Sequence, residues 1–526
     1  MTIPAPLPAA RPAAGAPQEQ ELKLRLRAQD VAALRARLDR LAPARTERVD
    51  STYFDTPDLR LARARAALRL RALGSGQRRR WVQTFKTGDS AAAFSRRGEW
   101  ETPVRAGRID LMLLADSPLA QVLGSALPVA GAAASGLAAV FRTCFDRSTW
   151  EVELAGSRIE VAIDRGVIEA AGRRETIEEA ELELRSGGTA AVWQLALQLS
   201  RAHPRRGPDL CLLPYGDSKA ARGYRLARGA AMPVPSAPVL PLDPGSDTAA
   251  AARVLVEQGL TTVLALAATH PVEAPDPEFV HQARVALRRL RTGLDLLEAD
   301  VPAWLLAGLR RWSRCLGSVR DWDVVCEQWL PALAAATPPE LARPWARVLV
   351  KAAQRRAAAR ARLMAQLQTP AFAGFTLRAL QWSSTPSRLP GRPLAAVAVP
   401  RVLRRLRRVA AAGARFARLD AKRQHQARLQ AKALRYAIEL LAPCLPRVLA
   451  QAPQRAVARF QEAAGRARDA VVLQAAIAQL TRSPRLRAAA AAWAAPRHDK
   501  AAQRVERAAA KLAQRHRTAL RLSASS

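Results

Sequence analysis

The chain has 526 residues, 49% hydrophobic and 24% charged, an ordinary globular composition with room for two or three separate cores. Lys plus Arg number 83 against 45 acids, a net +38 with a pI near 11.6, which favours polyanions as partners: nucleic acid, an anionic surface or phosphate chains. Five scattered cysteines without CxxC spacing argue against a disulfide framework or a zinc site and fit a reducing cytosol, and no run approaches 18 apolar residues.

Residues 1–16, rich in Pro and Ala, read as a disordered tail without the pattern of a signal peptide. The stretch QEQELKLRLR (18–27) then alternates charged and apolar residues, and the charged side changes sign along it: Glu19 and Glu21, then Lys23, Arg25 and Arg27. Side chains alternate faces along a strand, so these five share one face. Similar faces follow. ALRLR carries Arg69 and Arg71, WVQTFKT carries Thr84 and Lys86, and GEWETP carries Glu99 and Glu101. FRTCFDRSTWEVEL carries Arg142 and Arg147, RIEVAIDRG carries Glu160 and Asp164, and EEAELEL carries Glu179, Glu181 and Glu183.

Any one of these faces reads equally as the wet side of an antiparallel sheet. Their repetition suggests a shared interior. Like charges in a row repel unless opposite charges or a ligand lie across from them, and a small closed barrel supplies such a space. Crowded carboxylates suit a hard divalent cation, Mg2+ or Mn2+. Arg and Lys suit phosphate oxygens, Arg with a fork of donors. No GxxxxGK[ST] phosphate loop occurs.

The ordered set ExExK (19–23), STYFDT (51–56), ALRLR (67–71), TFK (84–86), RRGEWE (96–101), ELEL (181–184) and SKAARGY (218–224) resembles the CYTH domain of the triphosphate tunnel metalloenzymes. The resemblance covers 17–230 and implies an antiparallel eight-stranded β tunnel that hydrolyses or cyclises a triphosphate with divalent metal. It implies Glu19, Glu21, Glu181 and Glu183 as metal ligands, with Glu179 an alternative in the same acidic triplet. It implies Lys23, Arg25, Arg69, Arg71, Lys86, Arg142, Arg147 and Lys219 as the phosphate-binding set. Glu19, Glu21, Lys23, Lys86 and Lys219 then form the catalytic group. Glu99, Glu101 and Asp164 either assist the metals or balance the cations, and Asp164 also reads as a turn residue before Gly166.

A Pro-rich linker is expected over 231–247, beyond which Ala/Leu/Arg segments take helical spacing. From 248 onward Lys plus Arg number 47 and Asp plus Glu 17, so +30; the remainder carries 36 and 28, so +8. HQARVALRRLR from His281 and HQARLQAKALR from His425 match. Each gives His, Arg at +3, a cation at +7 and Arg at +10: His281, Arg284, Arg288, Arg291 and His425, Arg428, Lys432, Arg435. At about 100° per residue each set shares one stripe of a helix. LGSVRDWD and AGRARDAV follow at similar distances, placing Arg320–Asp321 and Arg468–Asp469. The order indicates an internal duplication, with repeats over about 250–400 and 401–515. Like charges along a helix destabilise it, so an anion is expected there. A solvated face is the plainer alternative. Basic neighbours argue against a metal at either His. Arg320–Asp321 and Arg468–Asp469 read as ion pairs that orient helices.

This half resembles the CHAD domain, which implies polyphosphate binding by the eight stripe residues. Taken together, the two resemblances imply an α+β multidomain protein that cleaves inorganic triphosphate in its tunnel and binds polyphosphate on its helices. The expected location is the cytoplasm, with polyphosphate granules as a further place. A thiamine triphosphatase, a class IV adenylate cyclase and a non-catalytic polyphosphate scaffold are the rival readings. With aromatics at 5% and absent from the basic stripes, no specific nucleic acid is expected, and no membrane. The sequence leaves the oligomeric state open.

Overall fold

A computed structural model of the chain describes residues 18–74, 79–88, 93–105, 107–123, 136–202, 207, 209–231, 233–234, 237, 241–268, 276–387 and 390–524. The tail expected over 1–16 lies outside these residues, as does part of the linker expected over 231–247. The chain forms two compact units: Met1–Pro233 with Ala267–Thr269 and Leu367–Gln381, and Val234–Leu266 with His270–Gln366 and Trp382–Ser526.

The first unit runs β1 (Gln18–Arg25), α1 (Ala28–Leu38), β2 (Arg45–Asp55), α2 (Arg60–Arg63), β3 (Ala67–Leu73), β4 (Arg80–Lys86), β5 (Phe94–Val104), α3 (Leu119–Leu123), β6 (Ala138–Leu154), β7 (Ser157–Ala170), β8 (Arg173–Ser186), α4 (Thr189–Ser200), β9 (Leu213–Pro214) and α5 (Lys219–Ala227). Eight strands close into an antiparallel barrel in the order β5-β4-β3-β2-β6-β7-β8-β1, with β1 pairing back onto β5 and β9 lying against the end of β1. The tunnel expected from the sequence is therefore present. Strand alternation decides what it holds. Leu22, Leu24, Val161, Ile163, Ala180 and Leu182 point out and are buried, while the intervening charged residues point in. Outside β3 and β4, Leu68 and Phe85 pack with Leu61, Leu114, Leu119 and Leu123.

Two-residue turns fix the register of the longest strands. Ala155–Gly156 joins β6 to β7 and Ala171–Gly172 joins β7 to β8, all four at positive φ. Such turns match the twist of a hairpin. At one end the interior is apolar: Tyr53, Phe141, Phe145, Ile168 and Ile177 form a cluster with Tyr224 of α5. Tyr53 stacks on Phe141 at 4.3 Å, and Tyr224 meets Phe141 edge-on at 5.1 Å. Gly223 permits this approach, since a Cβ there would fall 2.2 Å from two ring atoms of Phe141.

The second unit is helical, starting with α6 (Thr248–Ala267), α7 (Pro277–Leu297), α8 (Ala303–Val324), α9 (Leu330–Ala335) and α10 (Ala342–Leu367). After α11 (Pro370–Ser384), which crosses the boundary between units, come α12 (Leu394–Gly413), α13 (Ala421–Leu441), α14 (Arg447–Ala450), α15 (Gln454–Leu480) and α16 (Pro484–Ala524). Asp276 caps α7 and Asp420 caps α13, each five residues before the stripe histidine, which extends the repeat seen in the sequence. The sequence shows no long unbroken apolar run, yet α6 reaches a mean hydropathy of 1.3 and is long and apolar enough to cross a membrane. More than half of that window is buried within the protein, as in a core helix.

Candidate functional site

Inside the barrel, acids and cations from seven strands and one helix meet. At β1, the Glu19 carboxylate accepts from Lys86 Nζ at 2.7 and 2.9 Å and from Arg97 Nε at 3.1 Å. Glu21 is 2% exposed and pairs with Lys23 and Arg97. Burial opposes the charge on Glu19, but Lys86 and Arg97 outweigh it and hold the carboxyl well below the usual range. Glu183 faces Glu21 in register on β8 and accepts from Arg185 at 2.5 Å. Burial, reinforced by the Glu19 charge, pushes its carboxyl up to about 7.

Deeper in, Glu181 accepts from Arg147 at 2.6 Å and Lys219 at 3.0 Å. Asp164 is fully buried and is held by Arg147 at 2.6 and 2.7 Å and by Lys219 at 2.7 Å. Glu179 lies opposite Asp164 in register, 2.5 Å from Lys219 and 2.9 Å from Arg222. Lys219 opens α5, whose Ser218 cap accepts from Ala221 N, so the helix start points the ammonium at three acids. Burial opposes that charge, but Asp164, Glu179 and Glu181 more than offset it and raise the ammonium pKa. Arg69 stands 3.5 Å from Glu99 and Arg71 4.0 Å from Glu101. Burial, with Arg69 and Arg147 nearby, lowers Arg71 to about 10. That cluster of cations has fewer acids than it could pair with.

The barrel therefore brings together Glu19, Glu21, Lys23, Arg69, Arg71, Lys86, Arg147, Glu181, Glu183 and Lys219. Two expectations need correction. Arg142 lies on the outer face, its side chain 52% exposed, donating from Nε to Asp50 at 2.7 Å. The reason is parity: Phe141, Thr143, Phe145 and Arg147 face inward, so an even-numbered residue on that strand cannot. Arg25 keeps the inward parity, but its guanidinium donates to the Ala268 carbonyl rather than to the tunnel acids. Asp164 belongs to β7 and lies within the acidic cluster, not in a turn.

Sequence reasoning missed three cations. Arg97 shares the parity of Glu99 and Glu101, Arg185 continues the Glu179–Glu181–Glu183 row, and Arg222 lies one turn after Lys219. Each signal was present in the strand or helix period.

The donor set fits a hard divalent cation. Carboxylate oxygens of Asp164, Glu179 and Glu181 lie within 4.8 Å of one another, and Glu19 is close enough to raise the pKa of Glu183. Neither sulfur nor imidazole is among these donors.

On the helical unit, α7 and α13 pack together, and four stripe cations crowd one another: Arg284, Arg288, Arg428 and Lys432. Burial, then Arg288 and Arg428, pushes Lys432 down to about 6. Burial lowers both histidines too, aided by Arg320 at His281 and by Arg468 at His425. The repeat persists in detail. A Cβ on Gly317 would touch Arg284, and one on Gly465 would touch Arg428. Asp321 pairs with Arg284 at 3.1 Å, across helices rather than with its neighbour Arg320. Asp469 faces Arg428, and burial pushes its carboxyl up to about 6. Arg291 stands apart from this centre, whereas Arg435 still bears on Lys432. Arg291 neighbours Arg310 and Arg314, and Arg435 pairs with Glu439 at 3.1 Å.

The CYTH domain family model matches residues 17–209 and the CHAD domain family model residues 259–478. An inorganic triphosphatase of Haemophilus influenzae is 31% identical over 177 residues, 34% of this chain and 45% of that protein. An uncharacterised protein of Mycobacterium tuberculosis is 30% identical over 338 residues, 60% of each chain. The chain thus spans about half the length of the curated relatives it matches. Among solved structures, the CHAD domain of Ricinus communis has a TM-score of 0.42 at 25% identity, covering 54% of this chain and 97% of that one. A candidate adenylyl cyclase from Hippeastrum, described as having a dominant triphosphatase activity, has a TM-score of 0.28 at 22% identity, covering 41% and 98%. The chain carries a CYTH domain followed by a CHAD domain.

Proposed function

We propose that the barrel hydrolyses inorganic triphosphate to pyrophosphate and phosphate with Mg2+ or Mn2+, and that the α7–α13 surface binds polyphosphate. The reading rests on the convergence of acids and cations inside one closed barrel. The inorganic triphosphatase relative supports it over the CYTH part. Arg69, Arg71 and Arg147 with Lys23, Lys86 and Lys219 would neutralise and align the triphosphate, arginines gripping oxygens in pairs. Glu19, Glu21, Glu181 and Glu183 would hold the metal, joined by Asp164 and Glu179. A bound divalent ion supplies charge neutralisation and a more acidic water. Lys219 and Arg147, which span the acidic trio, hold those carboxylates in place. Arg97 does the same for Glu19 and Glu21.

On the helical surface, Arg284, Arg288, Arg428 and Lys432 with His281 and His425 would share one phosphate chain. Crowding of four arginines around a half-buried Lys432 favours that reading over a solvated face, because the ammonium is disfavoured without an anion.

A phosphate-release assay with Mg2+ or Mn2+ across triphosphate, ATP, thiamine triphosphate and long polyphosphate tests the barrel. Fastest turnover of triphosphate, lost in Glu19→Ala and Glu181→Ala, is expected. Preference for an organic triphosphate, or no release at all, would replace this reading with a rival enzyme or a binding scaffold. Cytoplasmic and granule location is part of the same proposal and is read by imaging a tagged full-length chain.

A further inference from the structure

The last helix carries a second basic row that neither the tunnel nor the α7–α13 surface uses. Arg497, Lys500, Arg504, Arg507, Lys511 and Arg515 are all exposed on α16. Their offsets of 3, 7, 10, 14 and 18 residues place them in a band about 80° wide. The row is about 27 Å long at 1.5 Å per residue. Among the described residues none of the six pairs with an acid: the helix's own acids, Asp499 and Glu506, fall outside the band, and Glu506 accepts from Ala417 N. Each i,i+3 or i,i+4 step sets cation beside cation, which disfavours a bare helix. The row begins beyond residue 478, where the CHAD match ends.

Three observations narrow the occupant. The apolar face beside the row (Ala501, Ala502, Val505, Ala508, Ala509 and Leu512) is buried, α16 packing on α12 and α15, so it is not free to enter a lipid surface. The row contains no aromatic residue; Trp493, one turn before it, lies under Arg497 at 3.9 Å, which leaves no platform for stacked bases. The cations recur every 4.5–6 Å in a nearly straight line, whereas a duplex offers phosphates on two curving strands.

We propose that this face of α16 is a docking track for long-chain polyphosphate, separate from the α7–α13 surface. The proposal rests on the polyphosphate reading of that surface and extends it to chains longer than the surface can hold. In the bundle α16 packs on α15 and α12, and His498, next to Arg497, meets Gln424 of α13 at 2.9 Å, so the track starts near the first turn of α13 while using other residues than its stripe. Only a long chain can engage both, and the gain is one of effective concentration.

The test uses the full chain and two probes, inorganic triphosphate and long-chain polyphosphate, each titrated over a range of salt. Arg504→Glu/Arg507→Glu/Lys511→Glu is compared with the milder Arg504→Gln/Arg507→Gln/Lys511→Gln. A charge-matched control reverses Arg455, Arg459 and Arg482, exposed in the same unit but outside the row. Circular dichroism and melting confirm that each variant folds. The expected result is a loss of about tenfold or more in long-chain affinity, a shallower salt dependence, and short-chain binding unchanged. The proposal is overturned if long-chain affinity holds in the row variants, if the control loses as much, or if only duplex DNA binding falls. Arg288→Ala/Arg428→Ala separates the two readings: it should weaken long-chain polyphosphate and spare triphosphate, which the barrel holds; if long-chain affinity is unchanged, the α7–α13 reading fails while the α16 comparison still stands on its own.

Discussion

Raising the pH should weaken polyphosphate binding through Lys432. In the free protein its pKa is pushed down to about 6, burial first and Arg288 and Arg428 next. A polyanion on the same surface restores the charged form and raises that value again. Between pH 6 and the value in the complex, the bound state then holds one more proton than the free state. Binding takes up a proton there, and affinity falls by up to tenfold per pH unit. The gap between the ordinary 10.5 and about 6, at about 1.4 kcal/mol per unit, sets an upper limit of about 6 kcal/mol on this coupling. His281 and His425 add uptake of the same sign below pH 6.5. Asp469, which burial pushes up to about 6 beside Arg428, adds uptake of the same sign, because an incoming polyanion also favours its protonated form. Calorimetry in two buffers of different ionisation heat measures the proton uptake directly. Lys432→Arg stays charged and should flatten the profile. Affinity that is level from pH 6 to 9, or an unchanged slope in Lys432→Arg, would refute the reasoning. Stability should respond as well. The folded value is below the unfolded one, so the unfolded chain binds more protons between pH 6 and 10.5, and stability rises with pH across that window. Lys432→Met should lessen that rise in a series of thermal melts.

Other expectations concern the barrel. Lys219→Met removes the cation shared by Asp164, Glu179 and Glu181, leaving the three carboxylates with only Arg147 and Arg222, at a cost of about 3 kcal/mol read by denaturant unfolding, with loss of turnover. Arg142→Ala should change stability by less than about 1 kcal/mol and leave phosphate release intact, since its pair with Asp50 is on the surface; a large loss of activity would return it to the phosphate set. Gly223→Ala should cost about 1–3 kcal/mol, because the rigid Phe141 ring has nowhere to yield. A melting temperature equal to wild type would show that the end cluster can repack.

Much of this was legible in the order of charges along the chain. Alternation in QEQELKLRLR and EEAELEL placed Glu19, Glu21, Lys23, Glu181 and Glu183 on inward faces, and the same rule could have excluded Arg142 beside Arg147. What alternation does not carry is register. That Asp164 lies opposite Glu179 follows from a two-residue turn at Ala171–Gly172, whose length the sequence does not announce with Asn-Gly or Asp-Gly. On the helices, periodicity gave the stripes, but the convergence of Arg284 and Arg288 with Arg428 and Lys432 depends on how α7 meets α13. Arg291 shares the spacing and still neighbours Arg310 and Arg314 instead. The α16 row obeyed the same period and was overlooked for want of a matching phrase elsewhere in the chain.

The aromatic cluster of Tyr53, Phe141, Phe145 and Tyr224 is buried at one end of the barrel, which under the proposed function would make that end blind. A substrate that enters such a tube must leave by the way it came, as must whatever is cut from it. Cleavage would then proceed from chain termini, with release between rounds, rather than by threading a polymer through.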